Sequence, residues 1–79
     1  MALDVRMPDI LAERAISGRM RLELPYREGM TAGDVVSAEG FSKDEAEAIM
    51  VVVNGEQALE TTPLNDGDVV ELVIAMVGG

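Results

Sequence analysis

The sequence predicts an α+β domain in which one helix packs across a mixed sheet of four to five strands. Two alternating stretches near the start, ALDVRM and RMRLEL, repeat with the period of two that marks a half-buried strand. Between Thr31 and Gly40 lies a capped segment with the signals of a short helix. Two apolar runs rich in β-branched residues, VVV at 51–53 and VVELVIAM at 69–76, then supply further strands.

In the first strand Leu3, Val5 and Met7 point one way while Asp4 and Arg6 point the other. After Pro8, the stretch DILAERAISG carries Ile10, Leu11 and Ala15, which are expected to cover an edge of the core, and Gly18 closes the connection. In RMRLEL the inward set is Met20, Leu22 and Leu24, with Arg19, Arg21 and Glu23 outward. Pro25 ends this strand because it has no ladder donor. The two strands are expected to form an antiparallel pair.

EGMTAGDVVSAEG reads as a turn and a short helix, with Thr31 as N-cap, Asp34 near the positive end of the helix dipole and Gly40 as the stop. Gly33 weakens this helix, since glycine costs about 1 kcal/mol relative to alanine in a helix interior. A second capping signal, Ser42-x-x-Glu45, opens one or two further turns, and the helix is broken at Gly40-Phe41. AIMVVVNGE is then expected to be a central strand closed by a tight Asn-Gly turn, with a short extra strand near Gln57 to Leu59.

A turn at Asp66-Gly67-Asp68 leads into the final strand, from Val69 to about Met76. Val70, Leu72, Ile74 and Met76 share one face of it, and Val69, Glu71, Val73 and Ala75 the other. If the first and last strands lie side by side and parallel, the helix makes the right-handed crossing between the halves of the sheet. That arrangement is the β-grasp fold. Residues 1–75 are expected to form a single domain, and residues 76–79 an extended flexible tail.

Composition narrows the chemistry. A chain of 79 residues forms one small domain that buries roughly 60% of its unfolded surface, and 48% apolar residues suffice for a core. Cysteine and histidine are both absent, which removes the usual ligands of zinc, haem and copper and the Cys/His and Ser/His catalytic arrangements. The formal charge of -9 is uneven: residues 1–38 carry five arginines against six acids, and residues 39–79 carry Lys43 against nine acids. Such a surface repels phosphate backbones, and Tyr26 and Phe41 alone provide no stacking platform, so nucleic acid is set aside as a partner. No apolar stretch approaches a membrane span, and the first residues do not form a signal-peptide core. A cytoplasmic location is expected.

Two segments carry a resemblance. VVVNGE, followed by TTPLNDGDVVELVIAMVGG, resembles the C-terminal half of the small sulfur-carrier proteins of the ThiS and MoaD type, which are ubiquitin-like in fold. The segment GMTAGDVV looks like the helix start of the same family. The stretch from Val51 is closer to the thiamine-type carriers, whereas the long PDILAERAISG connection looks more like the molybdopterin type. The resemblance implies a protein cosubstrate rather than an enzyme. No cofactor is expected to be tightly bound, ATP being used by a ubiquitin-activating-type adenylating enzyme that activates the carboxylate of Gly79. Sulfur from a sulfurtransferase then displaces AMP, and the thiocarboxylate is donated to a biosynthetic enzyme of thiamine or molybdopterin type.

Glycine suits such an end for physical reasons. A terminal carboxylate has a reference pKa of about 3.5 and is a poor electrophile until activated. Gly78 and Gly79 have no Cβ, so they fit a narrow channel and accept whatever φ it imposes. The carbonyl stays open to attack from either face, and an activated glycyl ester has no stereocentre to racemise. Met76 to Gly79 can reach about 13 Å. Two closing glycines arise by chance in roughly 0.5% of chains.

Beside Gly78 and Gly79, the expected partner contacts are Met76, Val77, Val73, Glu71, Met50 and Val52. Met50, Val52 and Val73 form an apolar patch if their strand faces lie outward, with Glu71 at its border. Met7, Met20 and Met76 are expected to fill gaps on the inward faces. The Asp66-Gly67-Asp68 pair lacks the ligand count of a calcium loop and is expected to be a turn. Lys43 is the only lysine available for self-conjugation. Two other readings stay open: a ubiquitin-like modifier joined through Gly79 to target lysines, and a β-grasp interaction domain with an inert tail. A free monomer is expected, since a tail that threads into a partner should not be buried by self-association.

Overall fold

A computed structural model describes residues 1–75 of the chain. Five strands, β1 (Ala2–Arg6), β2 (Arg21–Pro25), β3 (Ile49–Val53), β4 (Glu56–Ala58) and β5 (Val69–Ile74), form one sheet in the order β2-β1-β5-β3-β4. Three short helices, α1 (Asp9–Ala12), α2 (Ala32–Ala38) and α3 (Lys43–Glu47), accompany it. The predicted antiparallel pair β1–β2 forms with Val5 opposite Leu22 and Leu3 opposite Leu24. β1 and β5 run parallel, with Val5 opposite Val70, and β3 and β5 antiparallel, with Val51 opposite Leu72. This is the β-grasp arrangement. The central strand is β5; β3, expected to be central, lies between it and the edge strand β4.

Register decides the core. Leu3, Val5, Val70 and Leu72 are fully buried on one face of the sheet, with Val51 beside them, and Val35 and Ala32 of α2 close the same core. Two apolar residues depart from expectation. Met20 is 57% exposed because β2 begins only at Arg21 and no strand pairs beyond it among the described residues. Ile10 is 60% exposed because α1 is a single turn that buries Leu11 and Ala12 and turns Ile10 outward; Leu11 and Ala15 do cover the core edge.

The helix starts follow the capping signals. Thr31 occupies the N-cap of α2, where its N–H donates to the Asp34 carboxylate at 2.9 Å. Ser42 and Glu45 form a complete capping box at α3 (3.1 and 2.9 Å). The N–H groups of Ala32 and Gly33 donate to the carbonyls of Thr62 and Glu60 (2.9 and 2.8 Å), which satisfies donors that the helix itself leaves free. That contact explains Gly33: a Cβ there would stand 3.1 Å from the Glu60 carbonyl oxygen. Gly40 ends the helical stretch at φ 81.

The two turns around β5 are bonded to each other. Asn54 (φ 51) and Gly55 (φ 86) turn the β3–β4 hairpin in the left-handed region such a tight turn needs. The Asn54 side chain donates to Asp68 Oδ1 and accepts from the Val69 N–H, both at 2.9 Å. Asp68 Oδ2 accepts from the Asn65 N–H, and Asp66 accepts from the Ala2 N–H at 2.9 Å. The carboxylates of the predicted turn therefore stitch the start of β5 to β1 and to the β3–β4 turn.

Asn54→Ala should lower the unfolding free energy by about 1–3 kcal/mol, through the lost bonds and the positive φ. Asn54→Gly, which relieves only the φ, should lose less. Urea unfolding of the three proteins tests this, and equal losses for Ala and Gly would mean that the backbone conformation contributes nothing.

Candidate partner-binding face

The face of the sheet turned away from the helices has two halves. On the β3–β5 half, Met50 lies opposite Val73 and Val52 opposite Glu71. All four are partly exposed, because residues of even number in β3 and odd number in β5 point away from the core. Register thus brings together the four residues that the sequence placed on one patch. Met76, Val77, Gly78 and Gly79 lie outside the described residues. The last described link is the Ala75 N–H donating to the Ala48 carbonyl at 2.8 Å, one step beyond β5.

The β1–β2 half is ionic. Asp4 accepts from Arg6 (2.9 Å) and from Arg21 (3.0 Å), so one carboxylate sits between two guanidiniums. Hydrogen bonds from Arg6 and then Arg21 hold the Asp4 carboxyl below its ordinary range. Arg6 is raised in turn, first by its bond to Asp4 and then by the charges of Asp4 and Glu71. Glu71 lies in register between Arg6 on β1 and Val52 on β3, and so marks the boundary between the halves.

Alternation in the sequence put Asp4 and Arg6 on the outward face of the first strand and Arg21 on the outward face of the second. Only strand register brings Arg21 to Asp4, 17 residues away in the sequence.

On the helix side, a small apolar groove of about 170 Å³ opens where β5 ends, lined by Leu11, Phe41, Ala48, Ile49 and Ile74 and rimmed by Arg14 and Glu45. Arg14 Nε donates to Glu45 at 2.8 Å, tying the α1 connection to α3. Glu45 is lowered by the Ser42 backbone bond and by Arg14. Among the described residues no group of three or more Asp, Glu, His or Cys could hold a metal ion, and no helix is long and apolar enough to cross a membrane.

With the β-grasp order and the outer face established, comparison with known proteins decides the family. The ThiS family model matches residues 10–79. The chain belongs to the ThiS family. This ThiS-family protein is similar in structure to SAMP1 from Haloferax volcanii, with 25% identity, full coverage of both chains and a TM-score of 0.74. A putative molybdopterin converting factor subunit 1 from Pyrococcus furiosus matches at 20% identity over 96% of this chain and 99% of that one, with a TM-score of 0.72. Urm1 from Trypanosoma brucei matches at 21% identity over 99% and 95%, with a TM-score of 0.63. These matches share the ubiquitin-like β-grasp fold.

Asp4→Asn should destabilise the protein at neutral pH and not at acid pH. The folded carboxyl titrates below its unfolded value, so its stabilisation is present above about pH 4 and fades as the pH falls through the folded pKa. Urea unfolding of wild type and variant between about pH 7 and pH 3 should give two curves that converge on the acid side. A constant gap across that range would assign the effect of the substitution to packing.

Proposed function

We propose that this protein is a sulfur carrier. A ubiquitin-activating-type enzyme joins the Gly79 carboxylate to AMP, with pyrophosphate leaving ATP. Sulfide then attacks the acyl carbon and AMP departs, which leaves a thiocarboxylate on Gly79. The thiocarboxylate passes its sulfur to a biosynthetic enzyme of thiamine or molybdopterin type. The observation that carries this reading is the extent of the ThiS family match, which runs to residue 79 and includes Gly78 and Gly79.

The partners follow from this chemistry. Met50, Val52 and Val73 would dock the activating enzyme through an apolar face, with Glu71 at its rim and Met76 and Val77 leading Gly78 and Gly79 into the active site. No cofactor need stay on the carrier, since the partner uses the ATP and supplies the catalysis. A complex of subunits 1 and 2 of the molybdopterin-converting factor from Helicobacter pylori includes a fold match to this chain (19% identity, TM-score 0.61), which supports a protein partner of that kind. A cytoplasmic location fits such partners.

A second reading has a specific observation in its favour. H. volcanii small archaeal modifier protein 1 matches 95% of this chain at 24% identity with a TM-score of 0.74, and a modifier would join Gly79 to an amine instead of sulfur. Both readings share the adenylate and differ in the nucleophile.

Intact-protein mass spectrometry from native cells should find one oxygen replaced by sulfur at the C-terminus. Gly-Gly remnants on lysines of other proteins, with no sulfur form, would favour the modifier. Adding one Ala after Gly79 should abolish ATP–pyrophosphate exchange with the activating enzyme; undiminished exchange would exclude both.

Met50→Lys and Val52→Lys should leave the circular dichroism of the domain unchanged and cut that exchange by about tenfold or more at subsaturating carrier, as expected for the centre of an interface. Full activity in both variants would remove the outer face from the docking site.

A further inference from the structure

The edge strand β2 has a property that the candidate partner-binding face does not use. Met7 N–H donates to the Met20 carbonyl (2.8 Å) and Tyr26 N–H to the Met1 carbonyl (3.2 Å). In an antiparallel ladder these pairs alternate, so Leu22 and Leu24 also direct their backbone groups at β1, and Arg21 and Glu23 direct theirs to the open edge. Among the described residues β2 is the last strand of the sheet on that side. An edge with free donors and acceptors invites another strand.

The side chains select which one. On the outer face Arg21 and Glu23 are both exposed, and Glu23 lies directly opposite Asp4 with no cation bonded to it among the described residues. An antiparallel second copy centred on Leu22 would set each Arg21 opposite the Glu23 of the other copy. Shifting the centre to Arg21 or to Glu23 would oppose like charges. In the Leu22 register the backbone groups that meet are also those of Arg21 and Glu23, each pair able to exchange two hydrogen bonds. On the inward face Leu22 would meet Leu22, and the exposed Met20 would gain the Leu24 of the other copy.

We propose that this chain forms a two-fold symmetric dimer by antiparallel pairing of β2 strands in the register centred on Leu22. Opposite charges across the pair fix that register, and each Glu23 gains the cation that it lacks among the described residues of the single chain. The arginines lie in the half of the sequence that carries little net charge, so two acidic molecules approach there with least repulsion. β2 is also the strand farthest from β3 on its side of the sheet. The pairing leaves Met50, Val52 and Val73 free in both copies, which meets the same requirement that a free monomer would.

Sedimentation equilibrium of the full chain tests it. The interface is far smaller than the standard ~1,600 Å², so the expected dimer is weak and appears between about 10 μM and about 1 mM. Arg21→Glu places two acids on the edge and Glu23→Arg two arginines. Each variant alone should remain monomeric over that range, and an equimolar mixture should form a heterodimer, since the mixed pair restores opposite charges at both positions. Circular dichroism establishes that each variant is folded, and concentration-dependent protection of the Arg21 and Glu23 amides in wild-type hydrogen exchange reads the same edge without a substitution. A wild type that stays monomeric at about 1 mM, dimers that persist in both variants, or a mixture no more associated than its components would each overturn the proposal.

Discussion

The fold depends on the position of β5. It is the central strand of the sheet: β1 runs parallel to it from Asp4 to Arg6, and β3 antiparallel along Ile49 to Val53. Val70 and Leu72 bury completely between the sheet and the helices, and burial of such side chains is worth about 1.5–3 kcal/mol each. A parallel neighbour cannot be reached by a tight turn, so the chain must cross the sheet between β1 and β5. Everything from β2 to Asp68 is that crossing, and the hydrogen bonds that the Ala2 and Val69 N–H groups donate to Asp66 and Asn54 fix where it ends.

The same topology divides the outer face. β5 carries Val73 toward β3 and Glu71 into register with Arg6, so a single strand separates an apolar half from an ionic one. The two halves differ in how they meet water. Met50, Val52 and Val73 hold partly exposed apolar surface that gains by being covered. Asp4, Arg6 and Arg21 already satisfy one another, and covering them would require their charges to be desolvated. A partner that covers this sheet gains on the β3 side and gains little on the β1 side.

Much of this was legible in the sequence, because the relevant signals are local. Alternation placed Leu3, Val5, Val70 and Leu72 inward, Ser42 and Glu45 announced α3, and Asn54-Gly55 announced the hairpin. What escaped depended on sequence-distant partners. Met20 has the parity of an inward residue, yet parity does not say whether anything lies beyond the last strand. Gly33 reads as a weak point in a helix until the Glu60 carbonyl is seen against it. Asn54 and Asp68 read as two separate turns, although each completes the other. The patch of Met50, Val52 and Val73 was legible as a shared face, since period and strand assignment suffice for that; its ionic neighbour was not, since Arg21 reaches Asp4 only through register.

On the carrier reading proposed above, the protein must both hold its end and offer it. β5 reconciles the two by position. Its first residues are bonded on both sides, to β1 as far as Glu71, while beyond Glu71 β3 alone continues among the described residues, through Ile74 and the bond from Ala75 to Ala48. Among the described residues, backbone restraint therefore diminishes along β5 from Glu71 to Ala75. The outer apolar face includes Val73, beyond the last β1–β5 pair at Glu71, so a partner docked on Met50 and Val73 would meet β5 where, among the described residues, the ladder holds it from the β3 side. Without cysteine or histidine the body has few groups for covalent chemistry, and on the proposed reading it would contribute direction instead, since β5 runs beside the outer face that holds Met50, Val52 and Val73.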